Sequence, residues 1–306
     1  MKSWWTRISV GMLTLLGIVV LASCTSLGTV GVPSLGGVAQ ERRSQGSGVG
    51  VAEGESGPGE ESVGFSKRGW RTDFSKRNVS LSEIKGGGPP KDGIPPIDKP
   101  KFVDAQQAGA WLGEKEPVGY LNLGGEAKAY PLQILTWHEI VNDTVGGQPV
   151  SMTFCPLCNT VLAFDRRLDG RFLDFGTTGN LRLSDLVMYD RQTESWWQQA
   201  VGEAIIGELT GKKLVFLPAG VISFREFREA FPKGLVLSRD TGFDRDYGRN
   251  PYAGYDSRNN TPFLFFGSLD RRALPMERVV AVSIGSEDVA YTFTFLEKNR
   301  VVNDTI

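Results

Sequence analysis

The sequence predicts a strand-rich α+β body with an internal duplication, and three observations carry that prediction. Apolar and polar residues alternate in several short runs, hairpin-type turn dipeptides separate those runs, and helical stretches are few. A thirty-residue segment also occurs twice, near the start of the body and at its end. Strands gathered into hairpins, with a few short helices, make an α+β arrangement rather than a doubly wound sheet.

In chain order, Val118, Tyr120 and Leu123 lead to Gly124-Gly125, and Ala127, Ala129 and Leu132 come after it, which predicts a first hairpin. Val150, Met152 and Phe154 alternate into Cys155. Val161–Phe164 then runs to Asp169-Gly170 and on to Phe172 and Phe175, a second hairpin with the favoured turn dipeptide. Leu186–Tyr189 and Leu214–Leu217 read as further short strands. Helices are expected over Ala105–Leu112, Pro131–Val141, Glu194–Val201 and Ser223–Phe231.

Residues 1–23 read as a lipoprotein signal peptide. Lys2 and Arg7 precede an apolar run from Ile8 to Ala22, too short to span a bilayer comfortably. Leu21-Ala22-Ser23-Cys24 then supplies small residues before a cysteine, the frame in which Cys24 would carry the lipid that holds the chain on a membrane. Residues 24–91 are rich in Gly, Ser and Pro and are expected to form a flexible tether and lead-in, with Trp70 and Phe74 as the first residues to dock. The strand-rich domain is expected over 92–306.

The two copies are 116–145 and 277–306. They align without gaps, and eleven of the thirty positions are identical, against roughly two expected from average composition. Trp137-His138-Glu139 in the first copy becomes Lys298-Asn299-Arg300 in the second, and no counterpart of the cysteine strand comes after Ile306. The C-terminal copy therefore reads as incomplete, and the residues it lacks read as doing something beyond scaffolding.

The 34 basic and 35 acidic residues nearly cancel, which gives no footprint for a nucleic-acid partner. A single histidine, His138, restricts histidine-based metal or acid–base chemistry. With Cys24 lipidated, Cys155 and Cys158 remain, in a Cys-x-x-Cys motif that can close a disulfide or hold one metal. Thioredoxin-like proteins place such a motif at a helix N-terminus; here Asn159–Phe164 reads as a strand, so a thioredoxin-like fold is not expected. Three readings stay open: an active dithiol, a metal site with copper or zinc, and a plain disulfide staple. The first two place His138 beside the sulfurs, where an imidazolium would favour the thiolate. Met188, in the cluster with Asp185, Tyr189, Asp190, Arg191 and Glu194, could ligate copper but reads first as core. The loop from Asp240 to Asp256, dense in polar and aromatic residues, reads as self-packed surface ahead of ligand-binding.

Asp92-Gly93-Ile94-Pro95, Ala129–Leu132, Trp137–Thr144, Cys155–Cys158, Leu186–Ser195, Tyr247–Tyr252 and Tyr255-Asp256 together resemble the bacterial and archaeal family designated domain of unknown function 3179. The resemblance covers about Asp92 to Ile306. It implies no settled activity. It does imply that some members carry selenocysteine where Cys158 stands, and selenium is wasted in a staple. The expectation is therefore a membrane-tethered, extracytoplasmic thiol–disulfide protein, an oxidoreductase with Cys155 as attacking thiol, Cys158 as its partner and His138 tuning them. That reading needs no cofactor; its partners would be the membrane and a redox partner or substrate. The alternatives are a metal-binding or electron-transfer lipoprotein using Cys155, Cys158 and His138, and a binding module with a structural disulfide.

Overall fold

The computed structural model describes residues 64–305. The signal peptide and Cys24 lie outside the described residues. Strands dominate the described chain, and its helices are few and short.

Residues 64–91, expected as tether and lead-in, already belong to the body. β1 (Ile84–Gly86) pairs with a strand a hundred residues on, and Phe65, Trp70 and Phe74 pack around Trp196 with ring centroids 5.1, 4.8 and 5.3 Å away. Aromatic edge contacts of this kind stabilise by about 0.5–1.5 kcal/mol beyond area burial. The backbone N–H and guanidinium of Arg71 add hydrogen bonds to the buried Glu194 carboxylate. The body thus begins well before Asp92, because its lead-in brings aromatic side chains to bury.

β2 (Phe102–Asp104) feeds a single-turn helix α1 (Ala105–Ala108), shorter than expected, whose N-cap is Asp104. β3 (Pro117–Leu123) and β4 (Glu126–Pro131) form the first hairpin across Gly124-Gly125, both left-handed. α2 (Leu132–His138) comes at once, burying Ile134, Leu135 and His138. Then β5 (Ile140–Val145), β6 (Gln148–Cys155) and β7 (Thr160–Asp165) make an antiparallel meander in which Cys155 pairs with Thr160. A small ribbon, β8 (Arg167–Leu168) with β9 (Arg171–Phe172), turns at Asp169-Gly170, but the strands expected to pair across that turn do not: Val161–Phe164 lies in β7 beside β6, and Phe175 opens a strand of a different sheet.

β10 (Phe175–Arg182) and β11 (Asp185–Asp190) are joined by Leu183-Ser184, both in the left-handed region, the geometry of a tight hairpin turn built here without glycine. β12 (Trp196–Gln198) continues that sheet into a single 3-10 turn over Gln199–Val201, in place of the helix expected over 194–201. Trp196 and Trp197 lie on opposite faces of a strand and both are fully buried, so sheet pairing overrides the helical spacing. β13 (Glu203–Ile206), β14 (Phe216–Leu217), β15 (Gly220–Ser223), α3 (Phe224–Ala230) and β16 (Leu235–Leu237) complete the core. α3 carries a full capping box of Ser223 and Glu226.

Besides two-stranded ribbons, three larger sheets result among the described residues, in the orders β1-β10-β11-β12-β13, β14-β7-β6-β5 and β15-β3-β4-β16-β2. The second of these sheets has apolar residues buried towards both of its neighbours. Val141, Val150 and Met152 pack with Tyr130 and Ile134, while Ile140, Cys155 and Phe164 pack with Phe175, Met188 and Trp197. Met188 is thus a core residue. An ion pair is buried among these layers: Lys128 Nζ donates to both Asp143 oxygens at 3.1 Å and to the Thr144 carbonyl at 2.7 Å, and Tyr130 Oη donates to Asp143 at 2.7 Å.

Near the C-terminus β17 (Val279–Ile284), β18 (Glu287–Thr292) and α4 (Phe293–Lys298) again run strand–turn–strand–helix. Tyr291 Oη donates to Asp304 at 2.8 Å, the partners that match Tyr130 and Asp143 in the sequence alignment. Unlike α2, α4 buries no residue, and Phe293 and Phe295 are both exposed.

Candidate functional site

Cys155 is the last residue of β6, and Cys158 sits in the four-residue turn that leads into β7. Asn159 takes a left-handed conformation to close that turn. The motif therefore hands over to a strand and lies at one end of a hairpin. Both cysteines are free thiols; Cys155 is 1 % exposed, whereas Cys158 is half-buried. Cys155 is the attacking thiol expected from sequence, but Cys158 is the one nearer to solvent.

The residue that meets these sulfurs is Asp185. Its hairpin turn faces the cysteine turn, so that Cys158 Sγ lies 3.3 Å from Asp185 Oδ1 and 3.8 Å from the Ser184 carbonyl oxygen. The two sulfurs and an Asp185 oxygen lie within 4.8 Å of one another. Asp185 is fixed from behind, because its Oδ2 accepts a hydrogen bond from the Ala200 N–H at 2.9 Å. Burial pushes its carboxyl up to about 6. The Cys158 thiol is pushed well above its ordinary value by its hydrogen bond to Cys155, by burial and by the neighbouring Cys155 and Asp185 charges. The resting Cys158 thiol is therefore protonated, with the Asp185 carboxyl beside it.

Glu139 adds a second buried carboxyl. It caps α2 in a left-handed conformation, and its own carbonyl accepts from the Phe154 N–H. Burial, with the Asp185 charge behind it, raises its carboxyl to about 8. Among the described residues no lysine, arginine or histidine hydrogen-bonds either sulfur, Asp185 or Glu139.

His138 is held elsewhere. Nδ1 lies 2.6 Å from the Pro95 carbonyl oxygen, which can only accept, so Nδ1 carries the proton and Nε2 accepts from Tyr247 Oη, also at 2.6 Å. Tyr247 in turn receives the Thr241 hydroxyl at 2.5 Å. Burial lowers the imidazole's pKa, opposed by the Pro95 contact and aided by the Arg245 charge, so the ring is neutral near pH 7. Both ring nitrogens are used, and the ring does not join the group formed by Cys155, Cys158 and Asp185. The imidazole ties the segment at Pro95 and the 241–247 loop to α2; it is not the neighbour of the sulfurs that its chemistry leads one to expect.

That loop does have a site beside it. A cavity of about 500 Å³ is lined by Ile94, Trp137, Arg245, Tyr252, Tyr255 and Phe263 among others. Tyr252 and Tyr255 both line it, and burial raises the pKa of each phenol. The loop read from sequence as self-packed surface thus forms one wall of a cavity, held by the histidine clamp.

A family model described as protein of unknown function (DUF3179) matches residues 91–306. The chain belongs to this family. No curated protein and no solved structure matches the chain. The family match takes in Cys155, Cys158, Asp185, Glu139 and His138 together. Asp185 and Glu139 have signals in the sequence, Asp185 as part of the cluster with Met188, Tyr189, Asp190, Arg191 and Glu194, and Glu139 as a position that reads Arg300 when 116–145 is aligned on 277–306. Neither points to the sulfurs, because the hairpins that carry Cys158 and Asp185 meet only in three dimensions. Among the described residues no helix is long and apolar enough to cross a membrane.

Proposed function

We propose that this protein is a membrane-tethered, extracytoplasmic thiol–disulfide protein in which Cys155 and Cys158 cycle between dithiol and disulfide. The observation that carries the reading is the contact between the half-buried Cys158 thiol and the Asp185 carboxylate at 3.3 Å, with the second sulfur alongside. A thiol whose pKa is raised is a poor nucleophile until something takes its proton. Asp185, ordinarily ionised above its value of about 6, is positioned to do so.

The cycle balances without a cofactor. Cys158 gives its proton to Asp185 and its sulfur attacks a substrate disulfide, forming a mixed disulfide and releasing one substrate thiolate, which picks up a proton. Cys155 then attacks Cys158 Sγ, the second substrate thiol leaves with the remaining proton, and the Cys155–Cys158 disulfide is left. The protein loses two electrons and two protons, and the substrate disulfide gains them. The resemblance that places selenocysteine at the position of Cys158 in relatives suits the same assignment, since the outer, attacking atom gains most from selenium. Cys24 would supply the tether, on the strength of its small-residue frame. We read 116–145 and 277–306 as copies of one unit, supported by the matched tyrosine–aspartate contacts.

Asp185→Asn tests the mechanism, by the rate at which the reduced protein reacts with a small aromatic disulfide between pH 6 and 8. Loss of a proton acceptor slows the reaction, on the order of 10²-fold. If Asp185 acted only through its charge, removing it would lower the Cys158 pKa and speed the reaction, and that result would sink the assignment.

A further inference from the structure

We propose that the reduced site is also a cation site, in which Cys155 Sγ, Cys158 Sγ and Asp185 Oδ1 hold one zinc-class divalent ion with the fourth position open. The proposal concerns the same site but requires only that both thiols be reduced, not that they cycle.

Zinc takes sulfur at about 2.3 Å and carboxylate oxygen at about 2.0–2.2 Å, so two sulfurs and an oxygen on one tetrahedral ion stand about 3.5–3.8 Å apart. Cys158 Sγ and Asp185 Oδ1 already stand 3.3 Å apart, and the three atoms lie within 4.8 Å of one another. Closing on an ion asks for at most about an ångström of approach between ligand atoms, at the ends of two hairpins, β6–β7 and β10–β11, whose strands are fixed by their ladders. The Ala200 N–H on Oδ2 is an outer contact that orients the carboxyl, and Oδ1 faces the Cys158 sulfur.

The surroundings favour a cation. Among the described residues no basic side chain hydrogen-bonds the three ligand residues, and Glu139, a further buried carboxyl, bears electrostatically on Asp185. An entering ion therefore displaces no existing positive partner. Hard ions such as magnesium or calcium want six or more oxygens and find one side-chain oxygen here, while two thiolates and a carboxylate suit a borderline ion. His138, the ligand that sequence would choose, cannot join without breaking its bonds to Pro95 and Tyr247. The donor set is two sulfurs and one oxygen.

Cobalt(II) is the probe, because thiolate ligation gives a charge-transfer band and tetrahedral geometry gives intense visible bands. The reduced, metal-free full chain is titrated with cobalt(II) without oxygen, and zinc(II) is then added. One cobalt per chain, with both features and displacement by zinc, is expected. Cys158→Ser abolishes the charge-transfer intensity expected of two thiolates. Asp185→Asn weakens binding by at least about tenfold, and Tyr247→Phe, which touches only the histidine clamp, leaves it unchanged. Absence of the charge-transfer band in the reduced wild-type chain overturns the proposal, whatever the variants do; equal affinity in wild type and a folded Asp185→Asn overturns the ligand set. A chain that binds no cobalt yet forms a reversible disulfide defeats the cation site alone. One that binds cobalt but never forms the disulfide defeats the redox reading alone.

Discussion

Glu139→Gln should make this protein more stable, and by an amount that grows with pH. The carboxyl is only 7 % exposed, and burial with the Asp185 charge raises it from 4.5 to about 8. The folded chain therefore holds a proton that the unfolded chain gives up. Such a group weakens the fold progressively as pH rises from the ordinary carboxylate range through about 8, and costs nothing below it. At pH 7 the medium is about 2.5 pH units above the unfolded value, which at 1.36 kcal/mol each gives roughly 3 kcal/mol. By pH 9 the cost levels off near roughly 5 kcal/mol. Glutamine keeps the shape and never ionises, so the variant escapes this cost. Urea unfolding of both proteins at pH 5, 7 and 9 measures it. Asp185 has the same sign, but its value of about 6 means that its contribution has stopped changing by pH 7 to 9, so the slope there belongs to Glu139. A stability difference that is absent at pH 9, or flat between pH 5 and 9, would refute the placement of Glu139 as a buried, unpaired acid.

The other predictions concern buried contacts of the fold. Tyr247→Phe removes the donor to His138 Nε2 and strands the Thr241 hydroxyl, and should cost about 1–3 kcal/mol in denaturant unfolding. Because the His138 pKa is depressed, its stabilising contribution is present above about pH 6.5 and is lost as pH falls, the opposite sign to Glu139; His138→Gln should flatten that acid limb. Lys128→Met breaks the buried pair with Asp143 and should cost about 3–5 kcal/mol, read as a lowered Tm.

Local features of this fold are legible in the sequence and long-range ones are not. Gly124-Gly125 announces its hairpin and Asp169-Gly170 its turn, because the turn conformation is dictated by the residues in it, whereas the strands expected to flank the second turn pair elsewhere; Ser223 announces α3 through its capping box. The cysteine motif's position before a strand is readable for the same reason. The helix expected over 194–201 fails because β12 pairs with β11 and β13 and its two tryptophans are buried on opposite faces, Trp196 against Phe65, Trp70 and Phe74 and Trp197 in the cluster of Phe175 and Met188, all partners remote in sequence or set by sheet pairing. The lead-in at 64–91 looks too polar to fold, yet three aromatics and Arg71 find partners more than a hundred residues away. The site shows the same division. Cys155 and Cys158 declare themselves by spacing. Asp185 lies 27 positions from Cys158 and Tyr247 lies 109 from His138, and both contacts are made by sheet topology. The single histidine draws attention as the natural thiolate partner, while the residue beside it, Glu139, is the one electrostatically linked to Asp185.

The most direct test of the dithiol's redox role is to equilibrate the full chain in glutathione buffers of graded potential and trap free thiols with an alkylating mass tag. Peptides carrying Cys155 and Cys158 are then weighed. A redox-active pair predicts one reversible two-electron transition in which both tags disappear together, with Cys158 alkylated before Cys155 in the reduced protein. Cysteines that stay reduced at every potential, or a Cys155 that is tagged first under native conditions, would contradict it.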